Sequence, residues 1–350
     1  MHTDPPAATR TWLIAAAFFT SQQDRWIDDF VPAESGHRFR KIPSPVHDQS
    51  WHERKTRHAG MGEWASHWAQ IRNLFAKLGP KDGIITAFPQ LGLVAAVRKL
   101  LFWRRNPLIA YCFNIGAPPG RWQRLVGRVA FRACTLIVVH STAEIQLVSR
   151  WFSLPPDRIR FLPLQSGAID PPPPPVGEPY VVAMGSANRD YAVLVKAAAM
   201  TGLRTIIVAS PRLVDQLDRP PNVEFRHGLS MEECRSLAVG ARLSVVPLVD
   251  GEASSGQITL IEAMRLGCPV VATATIGTVD YVRDGQTGYL VRPGDAVALA
   301  EAMQRLWDED DLRRDTAARA QAYAETELSD EAAGRRLLAL LDEVSAPSRD

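Results

Sequence analysis

A short polar loop ahead of an apolar helical run is the part of this sequence best suited to chemistry. The run covers residues 258–266, and Gly267 is placed to end it in a left-handed conformation. Free backbone amides at a helix N-terminus and the helix dipole attract anions, so we expect the loop to bind a diphosphate. The residues of this predicted site are Ser254, Ser255, Gly256, Gln257, Ile258 and Thr259.

Glu262 lies one helical turn beyond this loop. A carboxylate directly beside a phosphate would be repelled by it, whereas one a turn further along can accept hydrogen bonds from sugar hydroxyls. The sequence therefore predicts a nucleotide-sugar as the ligand. The alternative is a solvated helix residue that pairs with Arg265.

The stretch 251–291 resembles the GT-B glycosyltransferases, and specifically the retaining group called family four, or glycosyl transferases group 1. The family pattern is matched by Glu-Ala-Met at 262–264, by Gly267 and by Pro-Val-Val-Ala-Thr at 269–273. The turn Asp-Gly-x-Thr-Gly-x-Leu is matched at 284–290. One position departs from the pattern, because Ser254 stands where the family has a glutamate that acts on the donor sugar.

This resemblance implies two doubly wound, Rossmann-like α/β domains that face each other across a cleft. It also implies retaining transfer of a sugar from a nucleotide-diphosphate donor to a glycan or lipid-linked acceptor in polysaccharide biosynthesis. We expect no metal or other cofactor, because a fixed cation and the helix dipole can take the place of a metal at the diphosphate. Two alternatives stay open: a GT-B nucleotide-sugar epimerase or hydrolase, and a member that binds a nucleotide-sugar without turnover. A dehydrogenase is disfavoured, since no Gly-x-Gly-x-x-Gly follows a predicted strand.

The resemblance assigns further donor-binding residues by position. Gly185 and Ser186 follow a predicted strand at 180–184, and Arg189 occupies the place of the family's basic residue on the diphosphate. With Glu262, Arg189 is predicted to be catalytic, and the alternative is a surface arginine paired with Asp190 or with another neighbour. His227 follows another strand on the side of the nucleotide base, where a simple turn residue is the equal alternative.

On the acceptor side, the resemblance points to Asn114, His140 and Ser141, which follow two predicted strands of the first half. Many relatives have a histidine near the position of Asn114, so this is a second departure. His140 and Ser141 have an alternative role in capping the helix that begins near Thr142.

The chain is long enough for two domains, with 350 residues of which 46% are hydrophobic. Five consecutive prolines at 171–175 predict a linker over 171–178. We expect an acceptor-binding domain over 1–170, a nucleotide-sugar-binding domain over 179–325, and a C-terminal helix over 326–350 that packs back on the first domain. The predicted strands are 12–19, 83–88, 108–113, 136–139 and 159–163, then 180–184, 205–209, 223–225, 243–246 and 269–272.

The two halves carry opposite charge. Residues 1–170 contain 22 basic and 12 acidic residues, and residues 171–350 contain 18 and 26, which gives net charges of +10 and −8. Basic and aromatic residues cluster around Trp103 and Trp122, which indicates an anionic membrane surface as a partner, although solvated charge over a core-facing helix would give the same pattern. The basic residues concerned are Lys99, Arg104, Arg105, Arg121, Arg124, Arg128 and Arg132.

No nucleic-acid recognition motif is present, so no nucleic-acid partner is expected. The sequence has no apolar run of membrane-spanning length, and its four cysteines have no paired spacing. These features predict a cytoplasmic protein that is peripheral at the inner face of the plasma membrane. Neither the irregularly spaced His47, His52 and His58 nor the acidic triplet Asp308, Glu309 and Asp310 predicts a metal site.

Overall fold

The computed structural model describes residues 10–45 and 60–346, and these form two compact units. The first unit takes the described residues up to Leu162 together with those from Ala333 onward, and the second unit is Pro163–Ala332. Each unit is built around its own six-stranded parallel sheet. Parallel strands require crossover connections, which here are mostly helices that cover both faces of each sheet.

The sheet of the first unit has the strand order β2-β1-β3-β4-β5-β6. Three inner strands, 83–87, 108–111 and 136–139, are fully buried, as expected for a sheet with helices on both faces, whereas the first edge strand, 37–42, is polar and partly exposed. The strands are β1 Arg10–Ala15, β2 His37–Ile42, β3 Gly83–Ala87, β4 Leu108–Tyr111, β5 Leu136–Val139 and β6 Ile159–Phe161. The helices are α1 Met61–Ala76, α2 Pro89–Leu101, α3 Arg121–Ala130 and α4 Thr142–Phe152.

The sheet of the second unit has the order β12-β11-β10-β7-β8-β9, with the earliest strand of the unit near its centre. Its strands are β7 Val181–Met184, β8 Thr205–Val208, β9 Val223–Arg226, β10 Leu243–Val246, β11 Val270–Thr273 and β12 Tyr289–Val291. Its helices are α5 Tyr191–Thr201, α6 Pro211–Val214, α7 Met231–Gly240, α8 Gln257–Arg265, α9 Ala296–Asp308 and α10 Asp310–Glu327.

The last helix, α11 Asp330–Ser345, begins in the second unit and lies for most of its length on the first. Leu337 and Leu341 are fully buried in the same core cluster as Trp12 of β1. His37 Nε2 lies 3.0 Å from a carboxylate oxygen of Asp342. The helix therefore completes one face of the first sheet.

The predicted strands all lie on observed ones, with differences at their ends. The first strand ends at Ala15 rather than at the predicted Phe19, although Phe19 is buried. Two edge strands, β2 and β12, were not predicted. The sequence of β2, HRFRKI, has no apolar run, and β12 is only three residues long.

Among the described residues, no helix is both long and apolar enough to cross a membrane.

Candidate functional site

The strand order of the second sheet creates a switch point between β7 and β10. The chain leaves β7 towards β8 on one side and leaves β10 towards β11 on the other, so the two connections diverge. In open parallel sheets, the crevice at the carboxyl ends of such strands is the usual place for a ligand. Residues 185–190 follow β7 and residues 247–256 follow β10, and these loops form the candidate site.

Backbone hydrogen bonds join the two loops. Asp190 N donates to Pro247 O at 3.0 Å, and Val249 N donates to Asn188 O at 3.0 Å. Asp190 also caps α5, since its side chain accepts a hydrogen bond from Val193 N. The alternative in which Asp190 pairs with Arg189 is thus not what the structure shows, and the backbone of Arg189 is held on both sides.

The guanidinium of Arg189 reaches from the end of β7 to the first turn of α8. Its Nε donates to Met184 O at 3.0 Å, Nη1 to Ala187 O at 2.8 Å, and Nη2 to Thr259 Oγ1 at 2.9 Å. Burial lowers the pKa of Arg189, but a guanidinium still keeps its charge. Among the ion pairs of the described residues, none joins Arg189 to a carboxylate, so a fixed positive charge stands at the switch point.

Gly185 is required for this arrangement. Its φ of +111° is one that residues with a side chain rarely adopt, and a Cβ atom there would lie 2.4 Å from Nη2 of Arg189. The glycine thus lets the guanidinium lie against the backbone. The neighbouring Ser186 is exposed.

The N-terminus of α8 adds backbone donors beside this cation. Gly256 precedes the helix with a φ of +88°, and Leu260 N donates to Gly256 O as the first intrahelical bond. The amides of Gln257, Ile258 and Thr259 therefore have no acceptor within the helix. Together with the helix dipole and Arg189, they form a site suited to a phosphate.

The loop before α8 is tightly packed. Ser254 and Ser255 are 5% and 8% exposed, and a Cβ atom on Gly277 would lie 2.3 Å from Ser255 O. Gln257 is 4% exposed, and its Nε2 has no hydrogen-bond partner among the described residues. A buried amide donor at the helix start is a further group that an anion can satisfy.

Glu262 forms an ion pair that the sequence did not reveal. Its Oε1 accepts from Nη2 of Arg235 at 2.9 Å, and the two side chains are 19% and 34% exposed. The alternative partner, Arg265, is not the one observed. Arg235 lies on α7, and its Nε is buried with no partner among the described residues. Both the hydrogen bond and the ion pair described for Glu262 use Oε1, and none described uses its other carboxylate oxygen.

His227 directly follows β9, the strand at the edge of the sheet, and is exposed. The strand β8 separates β9 from β7. The structure records no contact between His227 and Arg189 or Glu262, so the predicted role on the base side stays a prediction.

In the first unit, Asn114 lies just beyond β4. Its side-chain oxygen accepts a hydrogen bond from Gly116 N at 2.8 Å, which shapes the turn. The neighbouring Cys112 has a φ of +52°. Asn114 is half-buried, and its assignment to the acceptor side stays a prediction.

His140 and Ser141 lie just beyond β5. His140 is 2% exposed, and its Nδ1 donates to Leu162 O at 2.6 Å. Burial lowers the pKa of His140 to about 4, so the ring is neutral at pH 7. Ser141 precedes α4 without a side-chain cap, and Glu144 accepts from His140 N instead. His140 therefore ties the ends of β5 and β6 together, and its predicted contact with an acceptor is untested.

Within residues 10–45 and 60–346, no three His, Cys, Asp or Glu side chains are grouped so that they could hold a metal ion. Asp310 instead pairs with Arg242 and Arg313. His47, His52 and His58 lie outside the described residues. Metal independence stays a prediction.

Comparison with known protein families gives a match within the second unit. Residues 178–309 match the family model for glycosyl transferases group 1. The chain is 45% identical over 67 residues to phosphatidyl-myo-inositol mannosyltransferase of Mycobacterium leprae, an alignment that covers 19% of this chain and 17% of that protein. The chain aligns with only 8–17% of the length of the first curated relatives that it matches.

Solved structures resemble the fold of nearly the whole chain. Sucrose-phosphate synthase of Thermosynechococcus elongatus superposes with a TM-score of 0.73 over 96% of this chain and 99% of its own, at 18% identity. HepE of Anabaena in complex with UDP gives a TM-score of 0.66 over 95% and 100%, at 14% identity. The chain thus has the two Rossmann-like domains of the GT-B fold, and residues 178–309 in the second of them are similar to the glycosyl transferases group 1 family.

Proposed function

We propose that this protein is a retaining glycosyltransferase that moves a sugar from a nucleotide-diphosphate donor to a glycan or lipid-linked acceptor. The observation that carries the proposal is the half-buried guanidinium of Arg189, held 2.9 Å from Thr259 in the first turn of α8. A fixed guanidinium and helix amides without intrahelical acceptors, close together, suit a diphosphate. Its negative charge increases when the bond to the sugar breaks.

The diphosphate of the donor would lie between Arg189 and the amides of residues 257–259. As the bond between the anomeric carbon and the diphosphate oxygen breaks, negative charge grows on the diphosphate. Arg189 and the α8 N-terminus stabilise that charge without having to move, because hydrogen bonds already hold both in place. The site needs no metal ion for this role.

The acceptor hydroxyl attacks the anomeric carbon from the face that the diphosphate leaves. Its oxygen forms the new glycosidic bond, and its proton passes to an oxygen of the departing diphosphate. The products are the glycoside with retained configuration and the nucleoside diphosphate. The protein contributes position and charge to this route and no covalent nucleophile.

Glu262 is suited to orient the donor. Its contact with Arg235 holds one carboxylate oxygen at 2.9 Å and leaves the other to accept from sugar hydroxyls. HepE, with the same fold, has been solved with UDP and with UDP-glucose. These complexes support a nucleotide-sugar as the donor here. The name of the mycobacterial relative, a mannosyltransferase acting on phosphatidyl-myo-inositol, supports a lipid-linked acceptor.

The test is nucleotide release. UDP-, GDP- and ADP-sugars are first ranked by the thermal shift that they cause, and the best donor is then incubated with and without panels of oligosaccharide and lipid-linked acceptors. The proposal expects release that depends on acceptor, and a product whose anomeric configuration by NMR equals that of the donor.

The same assay separates the alternatives. Release without acceptor would indicate a hydrolase, and a changed sugar without transfer would indicate an epimerase. Binding with no turnover for any donor and acceptor would indicate a non-catalytic nucleotide-sugar-binding protein. The reason to consider this alternative is Ser254, which stands where the family pattern has a glutamate. A product with inverted configuration would contradict the retaining mechanism but not the assignment as a glycosyltransferase.

A further inference from the structure

The apolar side of α3 faces outward. Trp122, Leu125, Val126 and Val129 follow the spacing of one helical stripe and are 78%, 54%, 47% and 59% exposed. Side chains with this spacing ordinarily pack against a core. We call these four residues the α3 stripe.

The opposite side of α3 explains this orientation. Gly127 and Ala130 are its buried residues, and a Cβ atom on Gly127 would lie 2.3 Å from the ring of Phe152 in α4. The helix therefore packs through its smallest residues, and this close contact leaves no room for large side chains on the inner side. The exposure of the α3 stripe follows from the packing of the unit.

The end of α2 adds more exposed apolar surface at the same corner of the first unit. Leu101, Phe102 and Trp103 are 65%, 56% and 91% exposed. Helices α2 and α3 are in contact, and Lys99 Nζ donates to Ala133 O at 2.7 Å, just beyond the end of α3. We call these three residues the α2 tip.

The stretch of sequence that contains α2 and α3 carries only positive charge. The sequence from residue 83 to residue 143 contains eight basic residues and no acidic residue. Four of the basic residues, Arg121, Arg124, Arg128 and Arg132, lie on or just after α3, and all are exposed. Among the described ion pairs, none involves these four arginines. The apolar surface of α3 is thus bordered by exposed positive charge.

We propose that the α3 stripe and the α2 tip insert into the interface of a bilayer that contains anionic lipid. Tryptophan is suited to the headgroup region, aliphatic side chains to the acyl boundary below it, and arginine to the lipid phosphates. The charge favours lipid as the partner, because the stretch 83–143 contains eight basic residues and no acidic one and so complements a uniformly anionic surface. The surface lies in the first unit, so the inference does not depend on the donor site.

The test is sedimentation with vesicles of phosphatidylcholine alone and of phosphatidylcholine with 30% phosphatidylglycerol. The whole chain is expected to bind the anionic vesicles, and to bind less as salt rises from about 0.05 to 0.5 M. Trp122→Ser is expected to weaken binding about tenfold through lost apolar burial. Arg128→Gln is expected to weaken it about fivefold through one lost charge.

Two variants of the second unit serve as matched controls. Val297→Ser removes an apolar side chain with an exposure of 54%, and Arg292→Gln removes an exposed arginine. Both are expected to bind vesicles as the unaltered chain does. Equal binding to neutral vesicles, no binding at low salt, or equal losses in test and control variants would overturn the proposal. A Trp122→Ser chain that changes from dimer to monomer in light scattering, with vesicle binding intact, would assign the surface to a second copy instead.

Discussion

Nη2 of Arg189 donates a hydrogen bond to Oγ1 of Thr259 at 2.9 Å, and this contact links the loop after β7 to the first turn of α8. The two residues are 70 positions apart in the chain. Their contact brings a guanidinium to a helix N-terminus at the switch point of the sheet. The proposed chemistry depends on this juxtaposition more than on any other in the protein.

Removing the carboxylate of Glu262 is expected to act on donor binding. Hydrogen bonds from sugar hydroxyls exist before and during the reaction, so Glu262→Ala should raise KM for the donor about 10- to 100-fold and change kcat much less. Steady-state kinetics with varied donor measures both. Glu301→Ala, which removes an exposed carboxylate of α9, is the control. A loss confined to kcat would contradict this role.

Restoring the family glutamate is expected not to help. Ser254 is 5% exposed in a loop whose neighbour Ser255 is packed against Gly277. A longer, charged side chain in that space should crowd the donor, so Ser254→Glu should have a kcat/KM no higher than that of the unaltered protein. Higher activity in Ser254→Glu with the same donor would show that the serine weakens an ordinary family site.

Transfer is expected to survive chelation of metal ions. Arg189 and the α8 amides already supply positive charge at the proposed diphosphate site. Activity measured after dialysis against EDTA should equal that before it, and added magnesium or manganese should not increase it. Complete loss on chelation with recovery on adding either metal would refute Arg189 and the loop as the only charge stabilisers.

Acidification is expected to destabilise the first unit through His140. Its pKa is lowered to about 4 in the folded protein, so the unfolded chain takes up the proton first as the pH falls below about 6.5. The neutral His140 therefore contributes fully to the free energy of unfolding above about pH 6.5, and this contribution is lost as the pH falls towards 4. At pH 5 the free energy of unfolding is lower by about 2 kcal/mol.

Tryptophan fluorescence in urea reports on this unit, since eight of the nine tryptophans precede residue 163. Because asparagine offers an amide donor to Leu162 O without titrating, His140→Asn should lose less stability than the unaltered protein between pH 7.5 and 5. Identical pH dependence in the two proteins would be evidence against the buried neutral histidine.

Much of the fold could be predicted from local sequence. Apolar runs marked ten of the strands, and Gly267 adopts the predicted left-handed conformation with a φ of +70°. Strand β2 could not be found in this way, because it lies at a sheet edge and carries three basic residues in six. Edge strands need fewer apolar side chains, so their pattern is weaker.

The contacts within the candidate site could not be predicted as well from the sequence. Position in the chain was enough to nominate Arg189 and Glu262, since both follow strands or loops with a recognisable pattern. Arg235 carried no such signal, because its pairing with Glu262 depends on how α7 and α8 lie beside each other. The outward orientation of α3 could not be predicted from the sequence for a similar reason, because it depends on the contact of Gly127 with Phe152.

The most direct test of the central claim is acceptor-dependent nucleotide release by Arg189→Ala. Arg212→Ala, which removes an exposed arginine of α6 at the same sheet, is the control, and circular dichroism verifies that both variants are folded. We predict that Arg189→Ala lowers kcat about 100- to 1000-fold, the effect of losing one preorganised contact to developing charge, and that Arg212→Ala does not. Full turnover by a folded Arg189→Ala protein would contradict the account.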